Sequence, residues 1–331
     1  MAGTGRNMRA LTFLMLPLAL WGQDSMLLIL HKGGSSLGFY SRRGELRATV
    51  PVGQHPHEMA LSGDGRTVYI TDNGVMKIED EGAGGNTISI VDIAARKKTG
   101  EILLGQYRRP HGIAIDRRTG LLFVTTELPD QLLVLDPRHA SVLRNLGTGG
   151  RTSHLVALGS GTRWVFVSNC TSNNVSAIDL VSGEVQLIPT GARPEGSVMS
   201  HDGRLLYVAN REAARITIID TGKRAVVGEI RSGRGPARIA LTPDGKQLVY
   251  ACMHDQTVEI ADPVERKVLG KVHLGGRPVS LSVSPDGRRA YASAQEIDTV
   301  YVVSLADRKI VRAFKTAPGS GPDPVLEIPA Q

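Results

Sequence analysis

Cysteine is almost missing from this 331-residue chain, which has only Cys170 and Cys252. No Cys-x-x-Cys pair exists to form a zinc knuckle or a dithiol redox centre, and the absence of Cys-x-x-Cys-His excludes covalent haem attachment. Aromatic residues are also scarce, at 4%, and the basic residues are scattered through turns rather than gathered in a run. Single-stranded nucleic acid is held by a basic stripe interleaved with stacking rings, so a nucleic-acid partner is not expected. No apolar stretch is long enough to span a membrane. The longest, residues 10–20, follows Arg6 and Arg9 and precedes Trp21-Gly-Gln-Asp24, which reads as a secretory signal cleaved after Gly22. With no cysteine beside that point a lipid anchor is not expected, and the mature chain is expected to be periplasmic or secreted with no membrane span. Its formal charge of +7 becomes +5 without Arg6 and Arg9. Gly-x-Ser-x-Gly, P-loop and His-Glu-x-x-His motifs are absent as well, which removes the commonest hydrolase, nucleotide and zinc-protease signatures.

What the chain does have is a repeat. Full copies begin at Gly53, Gly105, Gly147, Gly191, Gly233 and Gly275, and the aspartates that end one strand of successive copies (Asp92, Asp136, Asp179, Asp220, Asp262) recur every 41–44 residues. Each copy has a Gly-x-x-Pro type turn, an alternating run such as residues 111–115, and an Asp-Gly turn. Three more short strands follow, as at residues 205–210, 216–220 and 225–231. Four strands per period make a propeller blade. Residues 324–329 supply only a first strand and residues 26–50 only the other three, so the two ends together make a seventh blade and leave no long open edge. The expected fold is all-β, a seven-bladed β-propeller occupying residues 23–331 behind the leader at 1–22 and closed by joining the N- and C-terminal strands in the last blade. An open β-solenoid or a sandwich is the alternative. Cys170 and Cys252 fall in blades three and five, too far apart for the Cα separation of about 7 Å that a disulfide tolerates, so free thiols are expected. Cys170 is a minor candidate ligand on the rim.

One strand recurs as Tyr207-Val-Ala-Asn210, with Tyr69-Ile-Thr-Asp72, Phe123-Val-Thr-Thr126, Phe166-Val-Ser-Asn169, Tyr250-Ala-Cys252 and Tyr291-Ala-Ser293 read in the same register. This pattern resembles the YVTN-repeat β-propeller family over nearly the whole mature chain. The resemblance implies a seven-bladed propeller, usually exported, in a superfamily shared with lactonase-type hydrolases, haem d1 propellers and streptogramin lyase-like enzymes. Its tyrosine, glycine and aspartate are packing and turn residues, so it speaks for fold and says little of function.

Function is sought where the copies differ. First strands line the central channel, and the residue after the turn proline sits at its mouth. Around the ring that position reads His57, His111, His154, Glu195, Ala237, Val279 and Val325. Imidazoles and a carboxylate converging from successive blades are a candidate divalent-metal set, with the metal's identity open. A structural role for the histidines is the competing reading. The loops after the second strands open on the same face, and there His31, Glu127, Arg211 and His254 are candidate ligand-binding residues. Arg238, two places past Pro236, joins them as a forked donor for carboxylate or phosphate. Blade one carries ten extra residues between Asp72 and Ile88, read as a mobile flap over the mouth or as a tolerated insertion.

The function expected is an exported propeller that binds a small polar or anionic ligand at the channel mouth, with a divalent metal as candidate cofactor. Two alternatives use the same surface: a lactonase-like hydrolase or metal-dependent lyase with unassigned catalytic residues, and a scaffold for a protein partner.

Overall fold

The computed structural model describes Met1 and residues 25–159, 161 and 163–329. Among them are 28 short strands in seven four-stranded antiparallel sheets. Six sheets use strands consecutive along the chain. In the seventh, Pro322–Ile328 lies beside Met26–His31, followed by Ser36–Ser41 and Leu46–Pro51. Blade seven packs on blade one at one side and on blade six at the other, so the ring is closed by the two ends of the chain. The expected leader, with cleavage expected after Gly22, falls outside the described residues apart from Met1. No helix among those described is long and apolar enough to cross a membrane.

Local chemistry explains the blades. Between first and second strands, the hydroxyl of Ser62 donates to Asp64 Oδ1 at 2.6 Å while Arg66 N–H donates to the same oxygen at 3.1 Å, and Gly65 turns the chain at φ +73°. Ser200-His-Asp-Gly203, Thr242-Pro-Asp-Gly245 and Ser284-Pro-Asp-Gly287 repeat that turn. At the other end of the second strand, Asn210 Nδ2 donates to Arg215 O (3.1 Å) and Thr217 Oγ1 (2.8 Å), clamping the next strand. Asp72 does the same job as an acceptor from Thr87 (2.7 Å) and Ser89 (2.8 Å). Gly53 has to be glycine because a Cβ there would lie 2.1 Å from Asp72 Cγ. The aromatic column packs between blades: Tyr207 of blade four meets Ile239 and Tyr250 of blade five in one apolar cluster.

Two registers differ from the sequence reading. Blade seven begins at Pro322, which lies opposite His31 just as Pro194 lies opposite Asn210 and Pro236 opposite Cys252. Its channel residue is therefore Asp323. Val325 lies opposite Ile29 and packs into the core beside blade six. The cause is turn chemistry: Gly319-Ser-Gly321-Pro322 is the counterpart of Gly233-Arg-Gly235-Pro236, with Gly321 and Gly235 both at positive φ (54° and 76°). In blade five, Cys252 pairs with Thr257 where Asn210 pairs with Arg215, so Val249 holds the aromatic position and Tyr250 faces the other side of the sheet. Cys170 and Cys252 are free and buried.

Candidate functional site

Second strands hold the channel residues of the next blade in place. Thr71 Oγ1 donates to the carbonyl of His111 (2.8 Å), Thr125 Oγ1 to that of His154 (2.5 Å), and Ser293 Oγ to that of Asp323 (3.0 Å). Inner strands then approach so closely that a Cβ on Gly112 would stand 2.4 Å from His154 O, and one on Gly196 2.3 Å from Ala237 O. His57, His111, His154, Glu195 and Asp323 are all buried at the resulting mouth.

The three imidazoles touch. His57 and His111 are edge to face with ring centres 4.4 Å apart, and His111 and His154 are tilted at 3.8 Å. Their tautomers follow from their partners. Val75 O can only accept, so His57 Nε2, 2.8 Å away, carries the proton. His57 Nδ1 then accepts from His111 Nε2 at 3.2 Å, and His111 Nδ1 faces Glu127 Oε1 at 2.6 Å. One proton remains for that last pair. Burial, and then the charges of Arg238 and Lys32, hold His111 well below the ordinary histidine range. Burial pushes Glu127 up to about 7 against the opposing charge of Arg109. The neutral pair is favoured, with the Glu127 carboxyl donating to His111. His57 and His154 are likewise held neutral, by burial foremost. His154 Nδ1 donates to Glu195 O at 3.3 Å, and no described residue bonds to its Nε2.

Charged groups surround the rings. Lys32 Nζ pairs with Asp323 Oδ2 at 3.5 Å, and Arg238 spans the channel to Glu58. Glu195 Oε1 accepts from Arg193 Nε (3.1 Å) and Arg211 Nη1 (2.8 Å). Burial raises Glu58 to about 7 and raises Asp323, whose Oδ1 is buried with no hydrogen-bond partner. Arg211 Nε faces Glu212 Oε1 at 3.4 Å, an ion pair without a hydrogen bond.

The blade-one insertion closes over this group. Arg109 donates to the carbonyls of Asp80 and Gly82 (the latter at 2.8 Å), Glu79 pairs with Arg193, and Met76, Lys77, Ile78 and Glu79 roof a cavity of about 150 Å³. Its walls carry Lys32, Lys77, Arg193, Arg211, Arg238 and Arg277 against three carboxylates, Glu79, Glu195 and Asp323, with the histidines neutral. Behind this wall Glu58, Glu212 and Glu296 pair with Arg238, Arg211 and Arg277, and Lys77 is the wall cation with no ion pair among the described residues.

Of the residues singled out in the sequence, the structure gathers His57, His111, His154, Glu195, Arg211 and Arg238 around this cavity, with Glu127 bonded behind His111. It does not bring His31 or His254 there. His31 bonds within blade seven to Ser36 (3.0 Å) and Tyr40 (2.8 Å), where burial lowers its pKa to about 4. His254 is exposed beside a separate depression. Glu195 turns to two guanidiniums rather than to the imidazoles, and among the described residues no group of three or more His, Cys, Asp or Glu is arranged to hold a metal ion. Asp323, Glu58, Lys77, Arg193 and Arg277 are among the site residues that sequence reasoning missed. A signal existed for one pair: Glu58 and Arg238 occupy the same repeat position with opposite charges. Backbone irregularities at Pro56/Met59 and Pro236/Arg238 turn both into the channel.

Comparison with known proteins agrees with the ring. Residues 145–240 match the family model of the YNCE-like beta-propeller. No curated protein matches the chain. Among solved structures, a functionally unknown protein from Desulfotomaculum acetoxidans superposes with a TM-score of 0.77 at 14% identity over 93% of this chain and 100% of that one. Kuenenia stuttgartiensis hydrazine synthase gives 0.66 at 19%, covering 79% and 86%. Dihydro-heme d1 dehydrogenase NirN, in complex with DHE, gives 0.65 at 17%, covering 89% of this chain but 64% of its own length. At these identities the likeness is one of fold.

Proposed function

We propose that the protein binds a small organic anion at the channel mouth, beneath the blade-one lid. The observation that carries this reading is the inner lining of the cavity, six cationic side chains and three carboxylates, with Lys77 left without an ion pair among the described residues. Size narrows the ligand. At about 150 Å³ the cavity is smaller than the roughly 300–1,000 Å³ of drug-sized sites and has room for only a handful of heavy atoms, so a tetrapyrrole does not fit it as it stands. Donors and acceptors narrow it further. Lys77, with no ion pair among the described residues, and Arg211 beside it suit a carboxylate or phosphate end, while the unpartnered Oδ1 of Asp323 suits a hydroxyl or ammonium donor. A short hydroxy or amino acid combines both ends.

Titration calorimetry with glycolate, lactate, glycerate and inorganic phosphate tests this. Arg211→Ala is expected to weaken every anion by about tenfold or more, and Asp323→Asn to weaken chiefly those with a hydroxyl. No binding by the parent protein, or equal binding by Arg211→Ala, contradicts the proposal.

A second reading is an enzyme at the same site, favoured by the single proton shared between Glu127 and His111 beside the ligand space, a hydrogen-bonded pair suited to moving a proton to or from bound substrate. A divalent ion would find a ready ligand only in His154 Nε2, because metal at His57 or His111 must first break the bonds to Val75 O or Glu127.

A further inference from the structure

A second cavity, of about 530 Å³, opens between blades six and seven at the end of the ring away from the mouth. The second strand of blade six, Arg289–Ala294, fixes the direction: Gln295 just past its end lines the mouth, whereas Arg289 at its start lines this cavity. Six residue steps of strand separate the two by roughly 20 Å. The site is independent of the one proposed above.

Its walls are built from arginine: Arg42, Arg43, Arg47, Arg289 and Arg312. Two of these are neutralised. Arg42 Nε pairs with Glu327 Oε1 at 3.1 Å and Arg47 with Glu45 at 2.5 Å. Glu327 is fully engaged, since Tyr291 O–H donates to its other oxygen at 2.6 Å. Arg43, Arg289 and Arg312 form no ion pair among the described residues, and Arg289 Nη1 is buried with no acceptor. Leaving a buried guanidinium nitrogen unmatched costs on the order of 1–3 kcal/mol, so something other than packing accounts for it. The repeat provides the control. At the place of Arg289 the other blades carry Met26, Thr67, Leu121, Trp164, Leu205 and Gln247, none of them charged. The fold does not ask for arginine there.

We propose that this cavity binds the diphosphate group of a small soluble molecule. Three free guanidiniums provide forked donor pairs for several phosphate oxygens, more than one carboxylate can use, and the volume falls within the roughly 300–1,000 Å³ of small-molecule sites.

Titrating pyrophosphate into the full-length protein, with inorganic phosphate and phosphatidic acid vesicles in parallel, tests the assignment. Pyrophosphate is expected to bind more tightly than phosphate. Its affinity should fall about tenfold or more in both Arg289→Gln and Arg312→Gln and stay unchanged in the mouth variant Arg211→Ala. Arg312 is exposed on the outer strand, so its variant reads the site without disturbing the fold. Equal affinity for phosphate and pyrophosphate, binding of vesicles but not of pyrophosphate, or loss in Arg211→Ala alone would each overturn the proposal.

Discussion

Two residues of every blade stand within a few ångströms of each other and behave differently. The last residue of the second strand is aspartate or asparagine in blades one, three and four (Asp72, Asn169 and Asn210), and there it does the same work, tying the following strand to its own. The residue just after the turn proline changes from histidine to glutamate, alanine, valine and aspartate around the ring, because its side chain projects into the channel rather than into the packed sheets. Repetition marks what the ring needs in order to close. Variation marks what it holds.

Damage to the repeated part should be largest. Truncation after Gly321 removes the first strand of blade seven, exposes the edge of Met26–His31 and unties the ends, so the protein is expected to lose cooperative unfolding or most of its thermal stability in a calorimetric scan. A truncated chain with an unchanged melting temperature would contradict the closure. Next comes Asn210→Ala, which leaves Thr217 and the Arg215 carbonyl without their donor. A loss of about 2–4 kcal/mol in denaturant unfolding is expected, with anion binding retained.

The fold was legible because its signals are periodic: the turn glycines and Asp-Gly turns act within one blade, and the tyrosine of the Tyr-x-x-Asn strand recurs because it packs against the next blade. The places where reading failed are those where a neighbour decides. Pro322 and Pro324 offer two starting points for blade seven, and only pairing with His31 chooses the first, which is why Asp323 was hidden behind Val325. The histidine column was visible, yet the hydrogen bonds that consume His57 and His111 were not, since they depend on Glu127 of the same blade and on Val75 of the lid.

The variable part is sharpened by pH. Glu127 is raised by burial to about 7, from an unfolded value of 4.5, so the folded state keeps a proton that the unfolded chain gives up. That contribution is present below pH 4.5 and is lost as pH rises towards 7. Glu127→Gln copies the protonated carboxyl as a donor to His111, so relative to the parent it should gain up to about 3 kcal/mol between pH 4 and pH 8. A parallel pH profile for the two proteins would show that no proton is shared there. The smallest effect concerns metal. Any Zn²⁺ bound at the mouth should depend on His154, and because burial keeps the imidazoles neutral, its affinity should persist below pH 6.5. Zinc binding that is untouched by His154→Ala would place the ion elsewhere.

The central claim, that the non-repeating mouth residues form a site for a small anion, is tested most directly by crystals soaked with glycerate. The account predicts density under the lid, with the carboxylate on Arg211 and a hydroxyl on Asp323. An empty mouth at saturating glycerate, or glycerate bound only outside it, would contradict the claim.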